Sequence, residues 1–132
     1  RPGLEIDRDR LQQYLEAQNA NFKVLTGSGG TVVPALAAGA SGAILAIALY
    51  AGPLVRRMVD LFRAGDRDAA AAVQTTLAPL AMDIAGAMGP AGIKAAMDCV
   101  GLHGGPTRSP LLPVSDEELA TIKARLASAG LI

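Results

Sequence analysis

The apolar positions change period along the chain. Between Phe22 and Ala48 they form short unbroken runs; on either side they form helical stripes. Asp9–Ala17 sets Leu11, Tyr14 and Leu15 at i, i+3 and i+4, which predicts a helix. The preceding Arg1–Asp9 is polar and reads as irregular, with Pro2-Gly3 as a loose start. Phe22–Thr26 is a short apolar run and predicts a buried strand. The glycine loop Gly27–Gly30 then leads into a helix over about Thr31–Ala38, with Thr31 as its cap, Pro34 in its first turn and Gly39 as its stop. Gly42–Ala48 is apolar throughout, as a strand covered on both faces would be. Strand, helical crossover, strand is a βαβ unit and demands a parallel sheet. Two strands are too few for such a sheet to stand alone, so a piece of a larger sheet is expected.

The remainder predicts helices. Gly52-Pro53 opens one through Arg63, with Leu54, Val55, Met58, Val59 and Phe62 on one face, and Gly65 ends it. Asp66 starts another over Arg67–Ala87, which Pro79 should kink or divide. Gly89-Pro90 begins a third through Cys99. An extended Gly/Pro-rich segment, Gly104–Val114, follows. Ser115-Asp116-Glu117-Glu118 is a capping box that opens a closing helix through Ala127, with Leu119, Ile122 and Leu126 inward. No internal repeat and no interdomain linker is visible.

Composition narrows the function classes. The 132 residues are 51% hydrophobic and only 3% aromatic, which suits close-packed helices. Net charge is zero and no basic cluster is interleaved with aromatics, so a nucleic-acid partner is not expected. No charge occurs between Lys23 and Arg56, but Gly27, Gly29, Gly30, Pro34, Gly39, Gly42, Gly52 and Pro53 cut that run into short pieces, which argues against a membrane span. The N-terminal residues show no charged-then-apolar leader pattern. A single Cys, Cys99, excludes an intrachain disulfide and suits a reducing compartment, and one Cys with one His makes no zinc site of the usual kind. Cys99 reads as a buried structural thiol, His103 as a surface or capping residue with no acid partner, and Arg108 as an anchor of the extended segment through carbonyls or a carboxylate. Ser28 and His103 lack the third group of a nucleophile triad. The Gly27–Gly30 loop lacks the Lys-Ser/Thr ending of a phosphate-binding P-loop.

The order of several motifs carries a family resemblance. They are Phe-x-Val-x-Thr-Gly-Ser at 22–28, Leu-Ala-Ala-Gly-Ala-x-Gly at 36–42, the helix after Gly52-Pro53, Gly-Asp-x-x-Ala-Ala at 65–70, and the stretch from Gly101 to Leu111. Together they resemble the C-terminal half of the dihydrodipicolinate synthase / N-acetylneuraminate lyase superfamily, over roughly residues 9–132. Gly92-Ile93-Lys94 through Gly104-Gly105-Pro106-Thr107-Arg108-Ser109-Pro110-Leu111 is most similar to the 4-hydroxy-2-oxoglutarate aldolase-like branch.

The resemblance implies an α/β fold: the C-terminal part of a (β/α)8 TIM barrel, with about two parallel strands and additional C-terminal helices. Residues 1–132 would form one partial-barrel domain. Within it, 1–64 would run from helix six to helix eight with strands seven and eight, and 65–132 would supply the C-terminal helices. The family forms a Schiff base between a lysine and a 2-oxo acid, usually pyruvate, and needs no further cofactor. Its lysine on strand six, its proton-shuttling tyrosine on strand five and its carboxylate-binding hydroxyls after strand two would all precede residue 1. The chain offers Lys23, Lys94 and Lys123. Lys23 lies at the wrong end of its strand for barrel chemistry, and the other two sit on helices facing solvent. Gly3-Leu4-Glu5 faintly echoes the lysine segment, with Glu5 in the lysine's place.

By the same resemblance, Gly27, Ser28 and Gly29 would line the part of the site that selects the distal half of the substrate. Ile44 would line the pyruvate pocket, and Ala46 would occupy a position that varies with substrate. Read as residues alone, Gly27–Gly30 is equally a plain βα turn, and Ile44 and Ala46 equally core. Leu49 stands where the family often has asparagine. The expectation is a cytoplasmic piece of a 2-oxo acid lyase that meets substrate only with the missing half barrel, is inactive alone, and homo-oligomerises through exposed strand edges. The alternative is a helix-rich oligomerisation or interaction module derived from that barrel.

Overall fold

A computed structural model describes residues 8–132, so the readings of Pro2-Gly3 and of Gly3-Leu4-Glu5 lie outside the described residues. The elements are α1 (Arg8–Glu16), β1 (Leu25–Thr26), α2 (Val32–Ala38), β2 (Gly42–Ala43), α3 (Ala48–Arg63), α4 (Arg67–Pro79), a π-helical segment (Leu80–Gly86), α5 (Ala87–Cys99) and α6 (Asp116–Ser128). β1 and β2 pair in parallel, Leu25 opposite Gly42 and Thr26 opposite Ala43, with α2 as the crossover.

Local chemistry explains most boundaries. Gly39 closes α2 at φ 115, a left-handed conformation that only glycine adopts without strain. At α6 the Ser115 hydroxyl accepts the Glu118 N–H while the Glu118 carboxylate accepts the Ser115 N–H, completing the expected capping box. The Asp66 carboxylate accepts the Ala69 N–H and caps α4. Pro79 divides its helix as expected: the chain leaves α geometry there and continues with π-helical winding to Gly86. Gly89 breaks the next helix at φ 59, although helical winding already begins at Ala87, ahead of the expected start.

The strands are shorter than the apolar runs. Phe22 and Lys23 lie outside the ladder, and Phe22 is 49% exposed rather than buried. The expected strand Gly42–Ala48 ends at Ala43. Beyond the Ile44 N–H, which donates to Thr26 O at 2.9 Å, β1 has given way to the glycine loop and offers no further partner. The chain therefore winds early, and α3 starts at Ala48 instead of Gly52. Its first turn is separated from the helix proper by a kink at Ala51, two residues before Pro53. Thr31 occupies the N-cap position of α2 but its hydroxyl makes no cap hydrogen bond.

The core lies between the crossover and the helices. Val32, Ile47, Met58, Leu77, Leu80, Ile84, Ile122 and Leu126 are fully buried. Each such side chain contributes about 1.5–3 kcal/mol relative to exposure. The buried Tyr50 hydroxyl donates to Leu80 O at 2.9 Å and fixes the start of α3 to the π-helical segment. Arg125 on α6 pairs with Asp83 of that segment at 2.7 Å.

Candidate functional site

The loop-bearing, C-terminal end of β1 and β2 gathers most of the residues singled out from sequence. Gly27 and Ile44 each follow the last residue of the ladder, and Ser28 and Gly29 follow Gly27 in the loop. Gly27 is exposed and Ser28 half-buried. Both line a cavity of about 320 Å³ with Thr26 of β1, Thr31 at the start of α2, and Arg10, Leu11 and Tyr14 from α1. The Ser28 N–H donates to Thr26 Oγ1 at 3.3 Å, and the Thr31 N–H to Ser28 O at 3.2 Å. Ile44, 74% exposed, and Ala46, also exposed, do not line this cavity; they face open solvent on the β2 side.

Gly29 is turned inward. A Cβ there would lie 2.6 Å from Ile47 Cδ1 and 3.3 Å from Ala81 Cβ, so a larger residue would have to push the Ile47 side chain aside for the loop to settle on the core. The Gly29 carbonyl accepts the Gln74 side-chain N–H at 2.8 Å, while Gln74 Oε1 accepts the Val33 N–H at 3.1 Å. One buried amide on α4 thus holds the loop and the first turn of α2 together. Gln74 is absent from the sequence reading, but its signal was there: it shares a helix face with Ala70 and Leu77, a polar residue inside an apolar stripe. Gln18 does similar work below the strands. Its Nε2 donates to Gly39 O at 3.1 Å, and its Oε1 accepts both the Val24 N–H at 3.0 Å and the Ser41 hydroxyl at 2.7 Å.

The lysines stand apart from this end of the ladder. Lys23 is exposed and precedes β1; Lys123 is exposed on α6. Lys94 departs from expectation, being half-buried instead of facing solvent, because its ammonium donates to Gly104 O at 2.6 Å. One turn on, Asp98 accepts the Gly104 N–H at 2.8 Å. α5 thus grips both polar groups of one residue, and a Cβ on Gly104 would collide with the Lys94 carbonyl. This grip, with Thr107 Oγ1 donating to Leu111 O at 3.0 Å, anchors the extended segment in place of Arg108, whose exposed guanidinium makes no hydrogen bond among the described residues. Cys99 is a half-buried free thiol rather than a fully buried one, and His103 is exposed. Among the described residues no group of three His, Cys, Asp or Glu side chains could hold a metal ion, and no helix is long and apolar enough to cross a membrane.

A parallel strand pair with a helical crossover, a glycine loop at its C-terminal end and helices wrapped outside defines a class: this is the C-terminal part of a (β/α)8 barrel, with added helices. The solved dihydrodipicolinate synthase DapA-2 of Bacillus anthracis superposes with a TM-score of 0.86 at 30% identity, covering 92% of this chain and 42% of that one. A putative dihydrodipicolinate synthase of Thermus thermophilus gives 0.78 at 33% identity, covering 96% and 45%. Residues 6–129 match the dihydrodipicolinate synthetase family, and the chain belongs to that family. Among curated relatives, the 4-hydroxy-tetrahydrodipicolinate synthase of Moorella thermoacetica is 35% identical over 126 residues, which are 96% of this chain and 43% of that protein. An uncharacterized DapA-like lyase of Halobacterium salinarum is 35% identical over 122 residues, 92% of this chain and 40% of that protein. The chain therefore spans about two-fifths of the length of the curated relatives it matches.

Proposed function

We propose that this chain is a portion of a class I Schiff-base lyase acting on pyruvate or a related 2-oxo acid, and that the 132 residues by themselves lack the catalytic lysine and tyrosine and are inactive. Membership of the dihydrodipicolinate synthetase family supports the reaction class. The observation that carries the inactivity is the placement of Lys23, Lys94 and Lys123, the chain's only lysines. None of them lines the cavity at the loop end of the strands. A Schiff-base lysine needs a lowered pKa in a preorganised pocket, whereas Lys94 is spent on a carbonyl, Lys23 is exposed, and Lys123 is exposed on a helix away from the strand ends.

In this reading β1 and β2 are strands seven and eight, and residues 65–132 are the C-terminal helices. Gly27, Ser28 and Gly29 line the distal half of the substrate site, Ile44 lines the pyruvate pocket and Ala46 holds a position that varies with substrate, once the rest of the barrel is present. The run from Gly92 to Leu111 points to the 4-hydroxy-2-oxoglutarate aldolase-like branch. No cofactor is required, and the compartment is the cytoplasm.

The test is borohydride reduction in the presence of pyruvate, followed by intact-mass measurement. The expected result is an unmodified 13.4 kDa chain. A pyruvate adduct on any of the three lysines overturns the inactivity. Addition of a barrel segment that carries a strand-borne lysine should restore trapping on that segment.

The second reading, an oligomerising module, is favoured by one observation: Phe22, Leu25, Ile44 and Leu49 are 49, 48, 74 and 52% exposed around a two-stranded ladder. Exposed apolar strands invite pairing with another chain.

A further inference from the structure

We propose that the cavity between α5, α6 and the Gly104–Val114 segment binds a small amphipathic organic anion, a monocarboxylate with an apolar body. This inference does not rest on the lyase reading. The cavity measures about 510 Å³, within the range of small-molecule sites. Its lining is divided by chemistry. Ala91, Ala95, Pro106, Val114 and Leu119 supply apolar wall, and Lys94, Asp98 and Lys123 supply the charges.

Two of those charges are already engaged. Lys94 and Asp98 hold the carbonyl and the N–H of Gly104 and so fix the segment as one wall of the cavity. Lys123 is different: it is exposed, lines the cavity, and has no ion-pair or hydrogen-bond partner among the described residues. An apolar chamber with one uncommitted cation at its solvent edge complements a ligand with an apolar body and one negative charge. Cys99 also lines the chamber, and its thiol provides a local reporter.

The experiment titrates the whole chain with octanoate and, in parallel, with 1-octanol. Methyl shifts are followed by NMR and the rate of Cys99 alkylation by mass spectrometry. Octanoate should shift the methyls of Ala95, Val114 and Leu119 saturably, slow alkylation several-fold, and bind more tightly than the alcohol. Lys123→Met, on an exposed helix face, should weaken octanoate about fivefold and leave octanol unchanged, as loss of one partly exposed charge contact does. Three results overturn the proposal: no saturable shift at millimolar octanoate, equal affinity for acid and alcohol, or shifts confined to Leu25, Leu36 and Ile44 around the βαβ unit.

Discussion

Two buried polar side chains carry more than their size suggests. Gln74→Leu keeps the volume but leaves Gly29 O without its donor and Val33 N–H without its acceptor. The loss should be about 1–3 kcal/mol of stability, measured by urea unfolding, with faster amide exchange at Val33. Tyr50 sets a pH limit. Burial raises its phenol above the ordinary value, so the folded chain holds the proton where the unfolded chain releases it. The unfolded state then binds fewer protons, and stability falls as pH rises through about 10, the phenol's value in the unfolded chain. Denaturant melts from pH 8 to 11 should show this fall, and Tyr50→Phe should flatten it at the expense of about 1 kcal/mol at neutral pH, the Leu80 carbonyl losing its partner. At Gly104, alanine would drive a Cβ into the Lys94 backbone, so Gly104→Ala should release the extended segment and raise its proteolysis while the remaining helices stay folded.

Elements were legible where their cause is local. The Ser115 box, Asp66 before α4, the left-handed Gly39, the break at Gly89 and the division at Pro79 each depend on a few neighbouring residues. Ser115→Ala should accordingly lower stability by about 1 kcal/mol in thermal melts, with fraying confined to the first turn of α6. Strand length was not legible, because a ladder extends only as far as its neighbour does. Phe22 and Leu45–Ala48 have strand composition and no strand beside them, and Ile44 keeps only its bond to Thr26 O. The candidate site divides the same way. The glycine loop could be read from composition, whereas its fastening by Gln74 joins positions 45 residues apart and left only a polar residue in an apolar stripe as a sign. Lys94 and Arg108 were misassigned for a related reason: which of two cations meets a carbonyl depends on how the extended segment packs against α5.

For the molecule as a whole, the exposed apolar ladder predicts association. Sedimentation velocity should show concentration-dependent self-association, and Ile44→Ser, at a side chain 74% exposed, should weaken it without lowering the melting temperature. A chain that stays monomeric at high concentration would remove the support for the oligomerising reading. The tie from Gln74 to the loop also has a consequence in time. Gly29 and Val33 are reached early in the chain, yet their partner arrives more than forty residues later and is set in place only when α4 docks. The loop therefore cannot acquire its final shape from the βαβ unit alone. During refolding it should stay pliant until Leu77 and its neighbours have packed, so that the turn at the C-terminal end of the strands is among the last parts to become rigid.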